Sequence, residues 1–249
     1  MRTIARLSRV FFKTLFLINF LVGLLVLFPF FYLALRSPKG FKIAIALKRF
    51  WARWILLVPG IFLEIEDRAN LKTLAQPCIY CANHTSYLDI VISYLVIPHY
   101  YIFLGKIELL KAPLFKIFFT SGMDLTVDRK NRNAAHQAYL EVGKRLDQGE
   151  SVFMFPEGTI SSSGQLKVFK NGAFKMAIEK QIPIVPITFK NNWKLLQNGG
   201  FFKAYCSPGF ARVVVHPPIS TKGMTEEQIG DLRHQCRETI ASELHCTNA

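Results

Sequence analysis

His84 and Asp89 stand five residues apart in Asn83-His84-Thr85-Ser86-Tyr87-Leu88-Asp89, directly after an apolar run at 78–82. On one continuous helix that spacing turns the two side chains about 140° apart, so they could not share a face. If a helix begins at Ser86 instead, His84 lies in the loop before it and Asp89 in its first turn, where the chain can fold the two together. A carboxylate that accepts the Nδ1 proton fixes the imidazole tautomer and leaves Nε2 free to take a proton from an alcohol. A quieter use of the same residues is open as well: Ser86-x-x-Asp89 is a capping pattern, and a histidine ahead of a helix can simply bond a carbonyl. The pair is half of a catalytic triad without its nucleophile, because the chain has no G-x-S-x-G elbow. Cys81 falls in a strand pattern, a poor setting for a thiolate. Direct attack by a substrate hydroxyl is the simpler chemistry.

A second group, Phe155-Pro156-Glu157-Gly158-Thr159, follows the apolar run 152–155. Pro156 and Gly158 fix a turn there, Gly158 lets backbone approach a ligand, and Glu157 offers an acceptor to hydroxyls or cations. A plain polar turn would use the same residues. Cys78 and Cys81 form a C-x-x-C, but Cys206, Cys236 and Cys246 are scattered, with no second pair at zinc-site spacing. These cysteines are expected as small apolar residues, without a disulfide framework. His99, His136, His216, His234 and His245 form no H-E-x-x-H or ligand cluster, so no metal is expected. Walker A and G-x-G-x-x-G loops are absent too, and no nucleotide or redox cofactor is implied.

The elements that must position these groups follow from the pattern of apolar runs. Runs at 78–82, 100–104, 123–127, 152–155, 184–189 and 212–215 read as strands, with amphipathic helices between most of them. Between Asn131 and Gly149, Ala135, Ala138, Tyr139, Val142 and Leu146 share one helical face, and Gly149 is placed as the stop. The last helix opens at Thr225 with Gln228 completing a capping box, and turns Ile229, Leu232, Cys236 and Ile240 inward. Strands alternating with helices predict an α/β fold: a central mixed, largely parallel sheet flanked by helices.

Ahead of this lies a different kind of chain. Residues 14–35 carry no charge, and as a helix would measure about 33 Å, enough to cross the hydrocarbon core of a membrane. Leu33-Ala34-Leu35-Arg36 does not resemble a cleavage site, so retention as an anchor is expected. Arg2, Arg6, Arg9 and Lys13 precede the run and Arg36, Lys39 and Lys42 follow it, so the positive-inside rule does not orient it. The stretch 41–57 mixes Lys48, Arg49 and Arg53 with Phe50, Trp51 and Trp54, as an interfacial helix would. Two helices gripping one leaflet are expected in residues 1–60, with a catalytic domain at 61–249 beginning after Pro59-Gly60. A net charge of +14 with 51% hydrophobic residues suits an anionic membrane surface. Nucleic acid shares the taste for charge, but no zinc-finger, RNA-recognition or helix-turn-helix signature is present.

Taken together, Asn83-His84-x4-Asp89 and Phe155-Pro156-Glu157-Gly158-Thr159 resemble the motifs of the 1-acylglycerol-3-phosphate (lysophosphatidic acid) acyltransferase family. Gly122 through Val127-Asp128-Arg129 is similar to that family's second motif, and Ile182-Pro183-Ile184-Val185-Pro186-Ile187 to its fourth. The resemblance implies an enzyme of phospholipid synthesis in which His84, polarised by Asp89, helps an acceptor hydroxyl attack an acyl-CoA or acyl-carrier-protein thioester. It also implies an acceptor site lined by Asn83, Arg129, Glu157, Gly158 and Thr159, with Lys106 and Lys170 at basic positions suited to a phosphate. Membrane lipids and a lysophospholipid acceptor would be the partners, and the cytoplasmic face the place, since the thioesters are made there. One departure counts: the family usually has arginine after Gly-Thr, and this chain has Ile160, which cannot donate a hydrogen bond. An acceptor without a phosphate monoester, such as a lyso-aminolipid built on ornithine or glycine, therefore stands beside lysophosphatidate. A non-catalytic lipid-binding protein and a thioester hydrolase are the competing classes.

Overall fold

The computed structural model describes residues 2–199 and 206–245. Cys246 and the side chains of Arg2, Arg6, Arg9 and His245 lie outside what is described. Two helices come first, α1 (Arg2–Ala34) and α2 (Phe41–Leu57). They are joined by a tight turn in which Gly40 presses against α1: a Cβ at Gly40 would sit 1.8 Å from the Ala34 carbonyl oxygen. Any side chain there would force the helices apart.

The rest alternates as expected: β1 (Ile61–Asp67), β2 (Ile79–Ala82), α3 (Leu88–Val96), β3 (Tyr101–Lys106), α4 (Lys116–Thr120), β4 (Leu125–Val127), α5 (Arg132–Asp147), β5 (Ser151–Met154), α6 (Gly172–Lys180), β6 (Ile184–Phe189), α7 (Asn192–Leu195), β7 (Gly209–Val215) and α8 (Ile229–His245). The strands form one seven-stranded sheet in the order β1-β7-β6-β2-β5-β3-β4. Only the β6–β7 pair is antiparallel; the other pairings are parallel. The mixed, largely parallel α/β sheet is thus the one the alternation predicts. β1 is an addition. Its sequence, Ile61-Phe62-Leu63-Glu64-Ile65-Glu66-Asp67, buries only Ile61, because it is an edge strand pairing with β7 alone.

Period-two alternation divides the core between the two faces of the sheet. Tyr80, Ala82, Tyr101, Phe103, Phe153, Val185 and Ile187 point toward a cluster shared with α1, α2 and α3. Ile79, Cys81, Ile102, Val152 and Ile184 point the other way, onto α5, α6 and α8. The α5 helix is capped by the Asn131 side chain, which accepts from the Asn133 and Ala134 N–H groups, and Gly149 follows it at φ +85°. The Thr225–Gln228 capping box forms, and Leu232, Cys236 and Ile240 are fully buried. Cys81 lies deep in this second cluster, where the Cys236 side chain and burial hold its thiol well above the usual range. It is an inert core residue.

The amino-terminal helices do not stand apart from the sheet. Phe31 packs edge-on against Phe118 at 4.9 Å, and Phe20 stacks with Phe115 at 5.8 Å. Val10–Ala34 is long and apolar enough to cross a membrane by length and composition, yet only a third of its most apolar stretch is buried. Leu21, Leu25, Phe30 and Leu33 face outward on α1, as do Ile43, Phe50 and Leu57 on α2. The basic residues of α2 behave differently from those of a simple interfacial helix. Lys48 is buried, with Nζ 2.5 Å from Asp124 Oδ2 and over the rings of Tyr94 and Phe118. The Arg49 guanidinium donates to the carbonyls of Tyr94, Ile97 and His99. These two cations clamp the helix to the sheet domain, and the apolar side is turned out.

Candidate active site

Parallel pairing explains how residues seventy positions apart meet. β2 and β5 are neighbours in register, Ile79 with Val152 and Cys81 with Met154, so their carboxyl ends emerge side by side. Asn83 and His84 follow one strand and the turn 155–159 follows the other. Ligand sites of open α/β sheets sit at such strand ends.

His84 is held on every side except one. Its backbone N–H donates to Glu157 Oε1 at 2.7 Å, and its carbonyl accepts from the Ser161 N–H at 2.7 Å. The ring lies flat on Phe155, with centroids 3.7 Å apart and planes 7° from parallel. Nδ1 is 3.0 Å from Asp89 Oδ2. The preceding residue is anchored too: the Asn83 carboxamide exchanges two hydrogen bonds with the Phe189 backbone, which fixes the loop to the end of β6. Nε2 is on the opposite ring edge from Asp89, and His84 is among the residues that line a cavity.

The α3 helix starts at Leu88, two residues later than Ser86, and still leaves His84 in the loop and Asp89 in the first turn. Asp89 is fully buried and accepts four hydrogen bonds. Oδ2 takes the N–H groups of Thr85 and Ser86 at 2.7 and 2.8 Å along with His84, and Oδ1 takes Asn192 Nδ2 at 2.7 Å. Capping the turn and orienting the histidine are therefore not alternatives, since one oxygen does both. Four donors compensate the burial of a charge that would otherwise be prohibitive.

Glu157 is also buried, and its second oxygen accepts from the Lys167 N–H at 3.1 Å. Both oxygens thus tie down backbone. Burial raises this carboxyl from its usual 4.5 to about 7, against the opposing pull of the two N–H donors. A carboxyl with a raised folded-state pKa stabilises most while protonated in both states, and that contribution fades as pH climbs from 4.5 through 7. The shift corresponds to roughly 3 kcal/mol lost by alkaline pH. Glu157→Gln abolishes the titration. The melting temperature of the variant, compared with that of the parent protein in the same detergent, should therefore improve between pH 5 and pH 8. A difference that stays constant across that range refutes the assignment.

Gly158 follows at φ +76°, and a Cβ there would lie 3.0 Å from Lys170 Nζ. The turn needs glycine for both reasons. Thr159 is exposed and accepts from Lys167 Nζ at 3.0 Å, and the same ammonium reaches the Ile160 carbonyl at 3.0 Å. Lys167 was not indicated by sequence, and neither was Asn192.

Two cavities adjoin the site. The larger, about 470 Å³, runs between α1, α2 and the sheet, and its wall includes Phe20, Trp51, Ile55, Phe103, Phe119 and His84. Lys106, Arg129 and Ile160 line it as well. Ile160 thus faces an apolar space. The smaller cavity, about 330 Å³, lies over the turn 155–159 and is lined by Arg129, Gly158, Lys170 and residues of α5. Arg129 and Phe155 border both. Among the described residues no group of three or more His, Cys, Asp or Glu could hold a metal ion.

A buried histidine–carboxylate pair thus lies at the strand ends of a mixed α/β sheet, beside a mostly apolar cavity. Residues 62–190 match the family model described as Acyltransferase, and the chain belongs to that family. It is 32% identical over 203 residues to a 1-acyl-sn-glycerol-3-phosphate acyltransferase of Haemophilus influenzae, covering 78% of this chain and 80% of that one. The Escherichia coli protein of the same name is 31% identical, covering 76% of each. A chloroplastic relative from Brassica napus, "1-acyl-sn-glycerol-3-phosphate acyltransferase BAT2", is 31% identical over 77% of this chain, which spans 54% of that relative's length. The crystal structure of the 1-acyl-sn-glycerophosphate (LPA) acyltransferase PlsC from Thermotoga maritima shares the fold. Its TM-score is 0.81 at 22% identity, over 100% of this chain and 98% of that one.

Proposed function

We propose that this chain transfers a fatty acyl group from an acyl-CoA or acyl-carrier-protein thioester to the free hydroxyl of lysophosphatidate, giving phosphatidate. The observation that carries this reading is the His84–Asp89 pair, immobilised in the wall of a mostly apolar cavity of about 470 Å³. The cavity suits an acyl chain, and the relatives named for lysophosphatidate support the acceptor.

In this mechanism His84 Nε2 takes the proton of the acceptor hydroxyl as its oxygen attacks the thioester carbonyl carbon. The new C–O bond forms, the tetrahedral intermediate expels the thiolate, and His84 returns the proton to sulfur. Asp89 holds Nδ1–H and faces the imidazolium while it exists. Lys106, Arg129 and Lys170, all solvent-exposed at the cavity rims, supply the charge for an acceptor phosphate. Glu157, with both oxygens on backbone N–H groups, serves by holding His84 in place. The outward apolar side of α1 and α2 lies in one leaflet at the cytoplasmic face, and the catalytic machinery sits against it.

A second reading is favoured by Ile160, which lines the apolar cavity where an arginine would help hold a phosphate. It makes the acceptor a phosphate-free lyso-aminolipid. Purified protein given labelled acyl donor with equimolar lysophosphatidate and lyso-ornithine lipid separates the two. Preferential labelling of phosphatidate is expected; preferential labelling of the aminolipid overturns the first choice. Thiol release without either lipid would mark a hydrolase instead.

A further inference from the structure

The segment from the end of β6 through α7 braces the whole loop that carries the histidine. Phe189 binds the Asn83 carboxamide by both backbone groups, the Leu196 carbonyl accepts from Ser86 Oγ at 2.6 Å, and Asn192 donates to Asp89 at 2.7 Å. Asn192 lies outside every motif read from the sequence, and is fully buried.

Its hydrogen bonding is lopsided. Nδ2 meets Asp89 Oδ1, but Oδ1 of Asn192 is buried with no partner among the described residues. A buried amide oxygen without a partner is costly. Reversing the amide would not help, because it would aim that oxygen at the Asp89 carboxylate. An apolar residue of similar size would remove the orphaned oxygen, yet it would also strand Asp89 Oδ1. Asn192 is thus built around one donor, and the group that needs it is the carboxylate that holds His84.

We propose that Asn192 is a positioning residue for the transfer reaction, the third member of a His84–Asp89–Asn192 relay. It pins the outer oxygen of Asp89 so that the inner oxygen stays on His84 Nδ1. Without Asn192 only the inner oxygen is held, by the two backbone N–H groups and the ring, and the carboxylate plane can turn about its Cβ–Cγ bond and spoil the alignment with Nδ1. The inference rests on His84 being the base.

The test uses the full chain in detergent or vesicles. Asn192→Leu removes the donor while keeping the number of side-chain heavy atoms, and Asn192→Ala does so without adding bulk should the leucine variant fail to fold. Both should lower kcat by ~10- to 10²-fold, the scale of a small misplacement of a reacting group, with KM for thioester and lysolipid within about twofold of the parent. In protein labelled with ¹⁵N-histidine, the Nδ1–H resonance of His84, identified by its loss in His84→Ala, should move upfield or broaden away. A folded variant whose kcat stays within twofold of the parent overturns the relay. So does a fall in kcat with an unmoved His84 resonance. If instead His84→Ala is itself active, the fault lies with the base assignment and not with Asn192, and the two failures are told apart.

Discussion

Replacing His84 with alanine should lower kcat for acyl transfer by ~10²- to 10⁴-fold, the usual worth of a positioned general base. It should leave binding to vesicles unchanged. The variant is expected to fold, because three of the four donors on Asp89 do not involve the ring: the Thr85 and Ser86 N–H groups and Asn192 Nδ2 remain. The clamp on the loop also survives, since Glu157 and Ser161 bind the backbone of residue 84 and not its side chain. What disappears is the imidazole proposed as the base. The surfaces proposed to meet the membrane, the outward apolar sides of α1 and α2, lie elsewhere, so cosedimentation with anionic vesicles serves as the control. Retention of most transfer activity would refute the role given to His84, and loss of vesicle binding would show that the substitution disturbs more than the site.

The parts of the site that sequence revealed are those written locally. His84 and Asp89 lie within one turn of each other, and the turn at Glu157-Gly158 sits at the end of an obvious strand. The partners that fix them come from far along the chain. Glu157 reaches His84 across 73 positions and Asn192 reaches Asp89 across 103. Both contacts exist because β2 lies between β5 and β6 in the sheet. No periodicity encodes that order, so neither the grip of Glu157 on backbone nor the reach of Asn192, in a one-turn helix, has a local signal. A sharper eye could have noticed that Asn191-Asn192 follows the apolar strand 184–189 at its carboxyl end, where ligand-facing residues gather.

The fold shows the same division. Strands buried on both faces, such as β2 and β6, read clearly as continuous apolar runs, whereas β1, exposed along one edge and carrying Glu64, Glu66 and Asp67, is not among the strands the pattern indicates. In α2 the composition correctly suggested a helix with apolar and basic sides, but not which way each side turns. Lys48 finds Asp124 and Arg49 finds three carbonyls, all on α3, the loop after it and the approach to β4. A positive charge in an amphipathic stretch says nothing of whether its counter-charge is a lipid or a buried aspartate. Only the tertiary partner decides.

Asp89→Asn should cost less than the loss of a triad carboxylate usually does, and the reason lies in the four donors. The Thr85 and Ser86 N–H groups both point at the oxygen that also meets His84, so the carboxamide of the variant must place its oxygen there. Its NH₂ then faces Asn192, whose amide can turn over and accept with the oxygen that otherwise lacks a partner. Nδ1–H of His84 keeps its acceptor and the tautomer is preserved. Where the tautomer is lost the penalty is ~10⁴-fold in kcat. Here only the negative charge facing the transient imidazolium goes, a change from a charge-assisted to a neutral hydrogen bond. That is worth about 2–3 kcal/mol in a buried site, or roughly 10²-fold. KM should change little, while the melting temperature should fall modestly, because the turned Asn192 amide leaves its NH₂ where the oxygen had no partner. A fall near 10⁴-fold would mean that the two backbone N–H groups do not dictate the amide orientation. An unchanged kcat would mean that the charge of Asp89 plays no part in the reaction, leaving it a cap for the turn and nothing more.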